Sequence, residues 1–297
     1  MAVQAPPFGQ IPEQDPGALF LGRIRDLIYK VAGIFHADNR FSLLQDRCAR
    51  RIGALKLSSL SEYYERLTLH SDRDSELHQL LNEITIGETC FFRNQPQLDA
   101  FRQIVLPEVV KNRSRLGFRQ LKIWSAGCST GEEPYTLAMI LMEESQGLLN
   151  GWTYNIIATD LNDRSVAAAK QATYSDYALR NTPGWIRDKY FRQEGSRFRV
   201  HEKVAAAVSV SRVNLLDDSK MLFMRGMDVI FCCNVLIYFD GASKRRVIRH
   251  FYSNLVTGGY FFLGHSESLF NVTDDFELVA FPGASAYHKA DPKAGRR

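Results

Sequence analysis

The sequence predicts an α/β protein: a doubly wound sheet, with a small all-α N-terminal domain ahead of it and an antiparallel β-subdomain inserted in it. Three observations lead there. Residues up to about 94 show helical periodicity with no strand alternation. From Leu121 onward, short apolar runs alternate with amphipathic helical segments, the pattern of βα units. Between Tyr174 and Asn214 that rhythm breaks, and "RFRV" and "AVSVSRV" stand where a helix is expected.

In chain order, residues 1–16 form a lead expected to be disordered, without the basic start and apolar core of a signal peptide. Residues 17–94 form the helical domain. Its clearest helix is "RDSELHQLLNEI", with Leu77, Leu80, Leu81 and Ile84 at i, i+3, i+4 and i+7. A second, "SLLQDRCARRIGALK", gathers Leu44, Cys48, Ile52 and Leu55 on one face and Arg47, Arg50 and Arg51 on another. Asn94 has the character of an N-cap and Pro96 sits in the first turn of a helix opening the second domain, 95–290. There "LKIWSAG" is a strand, followed by a helix after Gly131. "WTYNIIATD" is a second strand, and "DRSVAAAKQA" a second helix. The antiparallel insertion spans about 188–212. "MDVIFCCNVLIYF" contains a fully buried strand. "SKRRVIRHFYSNL" is a helix stopped by Gly258-Gly259, "YFFLGHSES" a further strand, and "FELVAFPGASAYHKA" a closing hairpin. Residues 291–297 are expected to be a disordered tail.

The composition is that of an ordinary globular protein, 45% hydrophobic and 24% charged, so no disordered or fibrous class applies. No apolar run reaches the ~20 residues of a membrane span. Five cysteines without a C-x-x-C pair argue against a disulfide framework or a zinc site, and for the cytoplasm. A net charge of +4 is too mild to imply nucleic acid.

The stretch "SAGCSTGEEPY" is a strand, a glycine turn and a helix start. Such a turn normally cradles phosphate, because backbone N–H groups and the positive helix end attract anions. No Lys-Ser/Thr follows Gly131, so it is not a P-loop, and Gly127 and Gly131 do not make G-x-G-x-x-G. Glu132 and Glu133 follow instead, and would repel a pyrophosphate. At least one of them is expected to touch the ligand; the alternative is a cap, since Ser129-x-x-Glu132 and Thr130-x-x-Glu133 both fit a capping box. The second strand ends in Asp160, where an acid accepts hydrogen bonds from a ribose. Ribose, amine and positive charge without phosphate describe S-adenosylmethionine. The seven histidines show no metal-ligand spacing, and Gly264-His265-Ser266 is not the G-x-S-x-G elbow of a hydrolase; His265 and Ser266 are assigned to capping or packing.

"ETCFFRN" at 88–94, "WSAGCSTGEEPY", "CNVLIYF" at 233–239 and "GHSES" at 264–268 together resemble the CheR family of bacterial chemoreceptor methyltransferases, over residues 20 to 288 or so. The resemblance implies an S-adenosylmethionine-dependent methyltransferase fold, Rossmann-like, and transfer of methyl to glutamate side chains on receptor cytoplasmic helices, with no metal. By the same resemblance Thr89 and Arg93 face the cofactor, Gly127 and Glu133 meet it at the turn, and Asp160 holds the ribose. Asn214 and Leu215 flank the adenine, Asn234 lies against the methionine part, and Tyr238 near the methyl. Arg93 and Tyr238 are the residues implied to align the acceptor. The family usually carries arginine where this chain has Cys233, which puts that cofactor contact in question. The segment Glu194–Arg197 is short beside relatives that dock on a receptor's C-terminal pentapeptide, which points to a tether-independent enzyme. The basic face of Arg47, Arg50 and Arg51 is the implied docking surface for Glu-rich receptor helices. A monomer is expected, with no nucleic acid partner and no stable membrane insertion. The alternative reading is a sensor or adaptor that binds S-adenosylmethionine without turnover. A nucleic-acid methyltransferase would place D/N-P-P-Y/F/W where "CNVLIYF" stands.

Overall fold

The computed structural model describes residues 16–35, 41–85 and 87–291. The expected lead and tail fall outside these, except for Pro16 and Asp291. The chain divides into two compact units, residues 1–86 and 87–297.

Among its described residues the first unit holds four helices: α1 (Pro16–Ala32), α2 (Phe41–Leu55), α3 (Leu60–Thr68) and α4 (Arg73–Ile84). α4 is the segment the periodicity marked. Its Leu77, Leu80, Leu81 and Ile84 are buried, with Ile24, Ile28, Leu44, Cys48 and Tyr63. One polar device sits among them. Arg51 of α2 donates from Nε and Nη2 to the two carboxylate oxygens of buried Glu76, at 2.9 and 2.7 Å. Tyr63 donates its hydroxyl to the same carboxylate at 2.9 Å. The basic face of α2 is therefore not one surface. Arg51 turns inward, because a carboxylate buried on α4 requires a fixed positive partner. Arg50 is 62% exposed, with its guanidinium 3.9 Å from Glu83. Arg47 is half-buried.

The second unit begins at Gly87, eight residues before the expected domain edge. Phe91 explains this. Its ring meets Tyr174 and Phe191 edge-on at 4.8 and 4.9 Å, and its N–H bonds the Ala178 carbonyl at 3.0 Å. Phe92 donates its N–H to Thr136 Oγ1. α5 (Gln95–Ala100) follows, with Asn94 at the N-cap position but no side-chain cap bond. It runs through a π-helical turn, Phe101–Val105, into α6 (Leu106–Arg115). The remaining elements are β1 (Gln120–Ala126), α7 (Glu132–Glu143), β2 (Thr153–Asp160), α8 (Asp163–Gln171), β3 (Thr173–Ser175), α9 (Gly184–Tyr190), β4 (Phe191–Glu194), β5 (Arg197–Val200), α10 (Glu202–Ala206) and β6 (Val208–Arg212). They continue with α11 (Asp218–Met221), β7 (Met227–Cys232), α12 (Gly241–Asn254), β8 (Leu255–Leu263), β9 (Glu277–Phe281) and β10 (Ala284–His288).

The seven-stranded sheet has the order β6-β2-β1-β7-β8-β10-β9. The first five strands run parallel, and β10 and β9 close the edge as an antiparallel hairpin. One face packs against the π-helical turn, where Phe101 meets Phe231 and Phe231 stacks on Phe262 at 4.6 Å. The other packs against α12, where Trp124 meets Phe251 at 5.1 Å. Two sequence expectations change. β6 pairs in parallel with β2, Asp160 opposite Arg212, so "AVSVSRV" belongs to the main sheet. It alternates because it is an edge strand, half buried on each residue pair. The inserted sheet is β3-β5-β4, residues 173–200 rather than 188–212. Gly258-Gly259 lies inside β8, and α12 ends at Asn254.

Removing Arg51 leaves Glu76 buried without its cation, which costs about 3 kcal/mol. Arg51→Ala should therefore lower the denaturant midpoint of the chain. An unchanged midpoint with impaired substrate recognition would return Arg51 to the surface role expected from the sequence.

Candidate functional site

β1 lies between β2 and β7, the point where the strand order reverses and an open sheet leaves a crevice beyond its carboxyl ends. The residues that follow β1, β2 and β7 meet there. Gly127 takes φ +79°, and a Cβ on it would collide with Val235 Cγ2 from the loop after β7. Only glycine fits both demands. Gly127 and Cys128 donate their N–H groups to the Thr159 carbonyl at 2.7 and 2.9 Å, tying the turn to the end of β2. Thr159 is fixed in turn by the Trp124 indole N–H at 2.9 Å.

Asp160 anchors this arrangement. Its Oδ2 accepts the Ser129 N–H and its Oδ1 the Asn162 N–H, both at 2.8 Å. Its own carbonyl accepts the Val213 N–H, which leads β6 into Asn214 and Leu215. Burial raises its pKa, and the backbone donors at Asn162, Ser129 and Leu161 pull it back.

Neither glutamate forms a capping box. The N-cap is Gly131, in the left-handed region at φ +99°, and it has no side chain to offer. Glu132 is buried and accepts from Thr130 Oγ1 at 2.6 Å. Glu133 reaches back to β1, where Ser125 Oγ donates to it at 2.7 Å. Burial raises the Glu133 pKa; hydrogen bonds from Ser125 and Cys233 and the charge of Arg93 act the other way. Glu133, Cys233 and Arg93 thus share one neighbourhood. Arg93 is exposed and donates Nη1 to the Glu88 carbonyl at 2.8 Å. The segment it belongs to lies beside the turn, since Ser129 Oγ meets the Gly87 carbonyl at 3.4 Å. Thr89, on the same segment, is half-buried.

The loop after β7 carries Cys233, Asn234 and Tyr238. Asn234 is left-handed, φ +62°. Tyr238 closes the 3₁₀ turn Leu236–Tyr238 and is half-buried. Burial pushes the Cys233 thiol well above its ordinary value, so it is neutral at pH 7, and its Sγ lies 3.4 Å from Gln97 Oε1. The loop is held from beyond by Glu267, whose carboxylate accepts the Asn234, Ile237 and Gly264 N–H groups at 2.6, 3.2 and 2.9 Å. Sequence reasoning passed over Ser125, Gln97 and Glu267. In "GHSES", His265 and Ser266, the residues expected to cap or pack, are exposed; the structural role falls to buried Gly264 and half-buried Glu267. The Gly-x-x-Glu spacing, closed by a Glu267 N–H to Gly264 carbonyl turn at 2.9 Å, was the available signal. Arg47, Arg50 and Arg51 belong to the first unit.

This donor set fits S-adenosylmethionine. Carboxylates stand at the turn where a phosphate site would place cations, and paired acceptor oxygens at the end of β2 suit hydroxyl groups. Among the described residues no cluster of His, Cys, Asp and Glu is arranged to hold a metal. No helix among them is long and apolar enough to cross a membrane.

Comparison with known proteins agrees. The family model of the CheR methyltransferase SAM-binding domain matches residues 87–284, and that of the CheR all-alpha domain matches residues 21–85. Chemotaxis protein methyltransferase 2 of Vibrio cholerae is 33% identical over 269 residues, covering 90% of this chain and 91% of the relative. Chemotaxis protein methyltransferase 1 of Pseudomonas aeruginosa is 33% identical over 260 residues, covering 86% and 92%. The chain is an S-adenosylmethionine-dependent methyltransferase and belongs to the CheR methyltransferase family.

Proposed function

We propose that the protein methylates glutamate side-chain carboxylates on the cytoplasmic helices of chemoreceptors, giving methyl esters and S-adenosylhomocysteine, as a cytoplasmic monomer in chemotaxis-type signalling. The observation that carries this reading is the meeting of the Gly127–Glu133 turn, Asp160 and the Cys233–Tyr238 loop at one crevice, in a chain whose relatives are chemotaxis methyltransferases. In it Asp160 holds the ribose hydroxyls, Asn214 and Leu215 flank the adenine, and Gly127 lets the ligand approach the backbone. Glu133, Thr89 and Asn234 bound the amino-acid part. Cys233 contributes packing there and no charge.

When bound, S-adenosylmethionine supplies a methyl on a sulfonium, and the acceptor oxygen forms the C–O bond as C–S breaks. A glutamate titrates near ~4.3, so the acceptor is already anionic at pH 7 and no general base is required. The protein's contribution is positioning, worth up to ~7–11 kcal/mol in well-oriented cases. Arg93 and Tyr238 align the acceptor carboxylate. A bidentate grip by Arg93 would weaken the nucleophile, so a single orienting contact serves better. Arg93 donates to its own segment's Glu88 carbonyl, which limits that grip.

The β4–β5 hairpin turns at Gly195 and Ser196, with no longer loop to hold a receptor tail, which supports tether independence. Arg50, exposed on α2, suits an acidic receptor helix, with Arg47 beside it; Arg51 is committed to Glu76.

Four outcomes test this. With labelled S-adenosylmethionine and receptor cytoplasmic fragments, the label should leave as volatile methanol in alkali, at equal rates with or without the C-terminal pentapeptide. Alkali-stable label would make the acceptor something other than a carboxylate. Asp160→Ala should weaken S-adenosylhomocysteine binding at least tenfold, since a charge-assisted contact is worth about 1.5–3 kcal/mol. In the wild type, affinity should decline on acidification from above the ordinary carboxylate range, because burial raises the Asp160 pKa and protonation removes an acceptor. A flat profile would remove Asp160 from the ribose role. Arg50→Glu should slow receptor methylation most at low salt while leaving S-adenosylhomocysteine affinity unchanged. A rate indifferent to the substitution at every ionic strength would exclude α2 from docking.

A further inference from the structure

We infer that Glu267 is the positioning residue of the acceptor site: it fixes the loop that presents Asn234 and Tyr238, acting through backbone N–H groups rather than on either substrate. The inference rests on the proposed roles of Asn234 and Tyr238. Glu267 lies four residues beyond the end of β8, in the turn that follows the strand. Its Oε2 accepts from Asn234 at 2.6 Å and Gly264 at 2.9 Å, and its Oε1 accepts from Ile237 at 3.2 Å. Oε2 therefore joins the loop after β7 to the turn after β8, while Oε1 holds the loop after β7 alone. Each such bond to a carboxylate is stronger than one between neutral groups.

Two features show that the grip is built for this loop. Asn234 sits in the left-handed region, which asparagine tolerates best among non-glycine residues but still at a cost that its surroundings must offset. The Glu267 bond to its N–H supplies that offset. Gly264, opposite, approaches so closely that a Cβ would fall 2.8 Å from Glu267 Oε2, 2.9 Å from the Asn234 backbone nitrogen and 3.0 Å from its Nδ2. The Ile237 bond sets the 3₁₀ turn Leu236–Tyr238, and so the direction in which Tyr238 leaves it. Gln97 backs the arrangement, donating Nε2 to the Leu263 carbonyl at 2.7 Å and meeting Cys233 Sγ from Oε1. A loop displaced by about 1 Å is enough to cost about a hundredfold in rate.

The test compares Glu267→Ala and Glu267→Gln with wild type, in the full chain. Readouts are S-adenosylhomocysteine binding by calorimetry, amide exchange across residues 234–238, folded fraction, and kcat and KM for receptor fragments. Glu267→Ala should exchange faster at Asn234 and Ile237, bind the product about tenfold more weakly, and lose about a hundredfold in kcat at unchanged receptor KM. Glu267→Gln keeps an acceptor on one side only and should fall between. Should the alanine variant fail to fold, the glutamine variant decides by the same readouts. Unchanged exchange and unchanged kcat per folded molecule would overturn the inference, as would activity lost only in proportion to folded chain. Exchange and product binding need no acceptor, so they decide on Glu267 even if receptor fragments take no label, an outcome that would count against the proposed substrate alone.

Discussion

The carboxylate of Asp160 is the constraint on which the rest of the site depends. It ends β2, yet its two oxygens reach the N–H groups of Ser129 on one side and Asn162 on the other. A carboxylate buried at that point must be compensated, and backbone amides compensate it without introducing a cation. The turn after β1 is thereby locked in a conformation that puts Gly127, Ser129 and Gly131 at positive φ. α7 must then start where Glu132 and Glu133 face inward. With Ser129, Asn162 and Leu161 as backbone donors, one of the carboxylate's four acceptor sites is left, and a ligand hydroxyl is the group that would use it.

Around this fixed centre, the loop after β7 is gripped on three sides. Val235 rests against Gly127, Asn234 against Gly264 and Glu267, and Cys233 against Gln97. The grips come from the turn after β1, from the turn after β8 and from α5, elements far apart in sequence. With the proposed carboxylate acceptor no proton shuttle is required and alignment is the main resource, so stiffness supplied from several elements matches that chemistry.

The sequence disclosed much of this because the informative features were local. β1, its glycine turn and the acidic end of β2 are each written within a dozen residues, and α4 announces itself by its leucines. What stayed hidden depended on partners far along the chain. Phe91 belongs to the second unit because Tyr174 and Phe191 are there to receive it. β6 looks like an antiparallel strand because an edge strand of a parallel sheet also alternates. Arg51 has the same appearance as Arg50 until Glu76, 25 residues on, claims it. Glu267 shows locally only a Gly-x-x-Glu turn, and its partners Asn234 and Ile237 lie some thirty residues back.

Burial of the site carboxylates has a thermodynamic consequence. Burial raises the pKa of Glu132, Glu133 and Asp160 above their ordinary values. Folding therefore favours their protonated forms. The stability so gained is present below the ordinary carboxylate range and is lost as pH rises through the folded-state values. Above those values the ionised carboxylates weigh against the native state. A cationic, hydroxyl-rich ligand offsets that burden, and by mass action it stabilises only the native chain. Occupancy then governs lifetime as well as turnover: a cell short of methyl donor holds more of this protein in its least stable form, within reach of proteases.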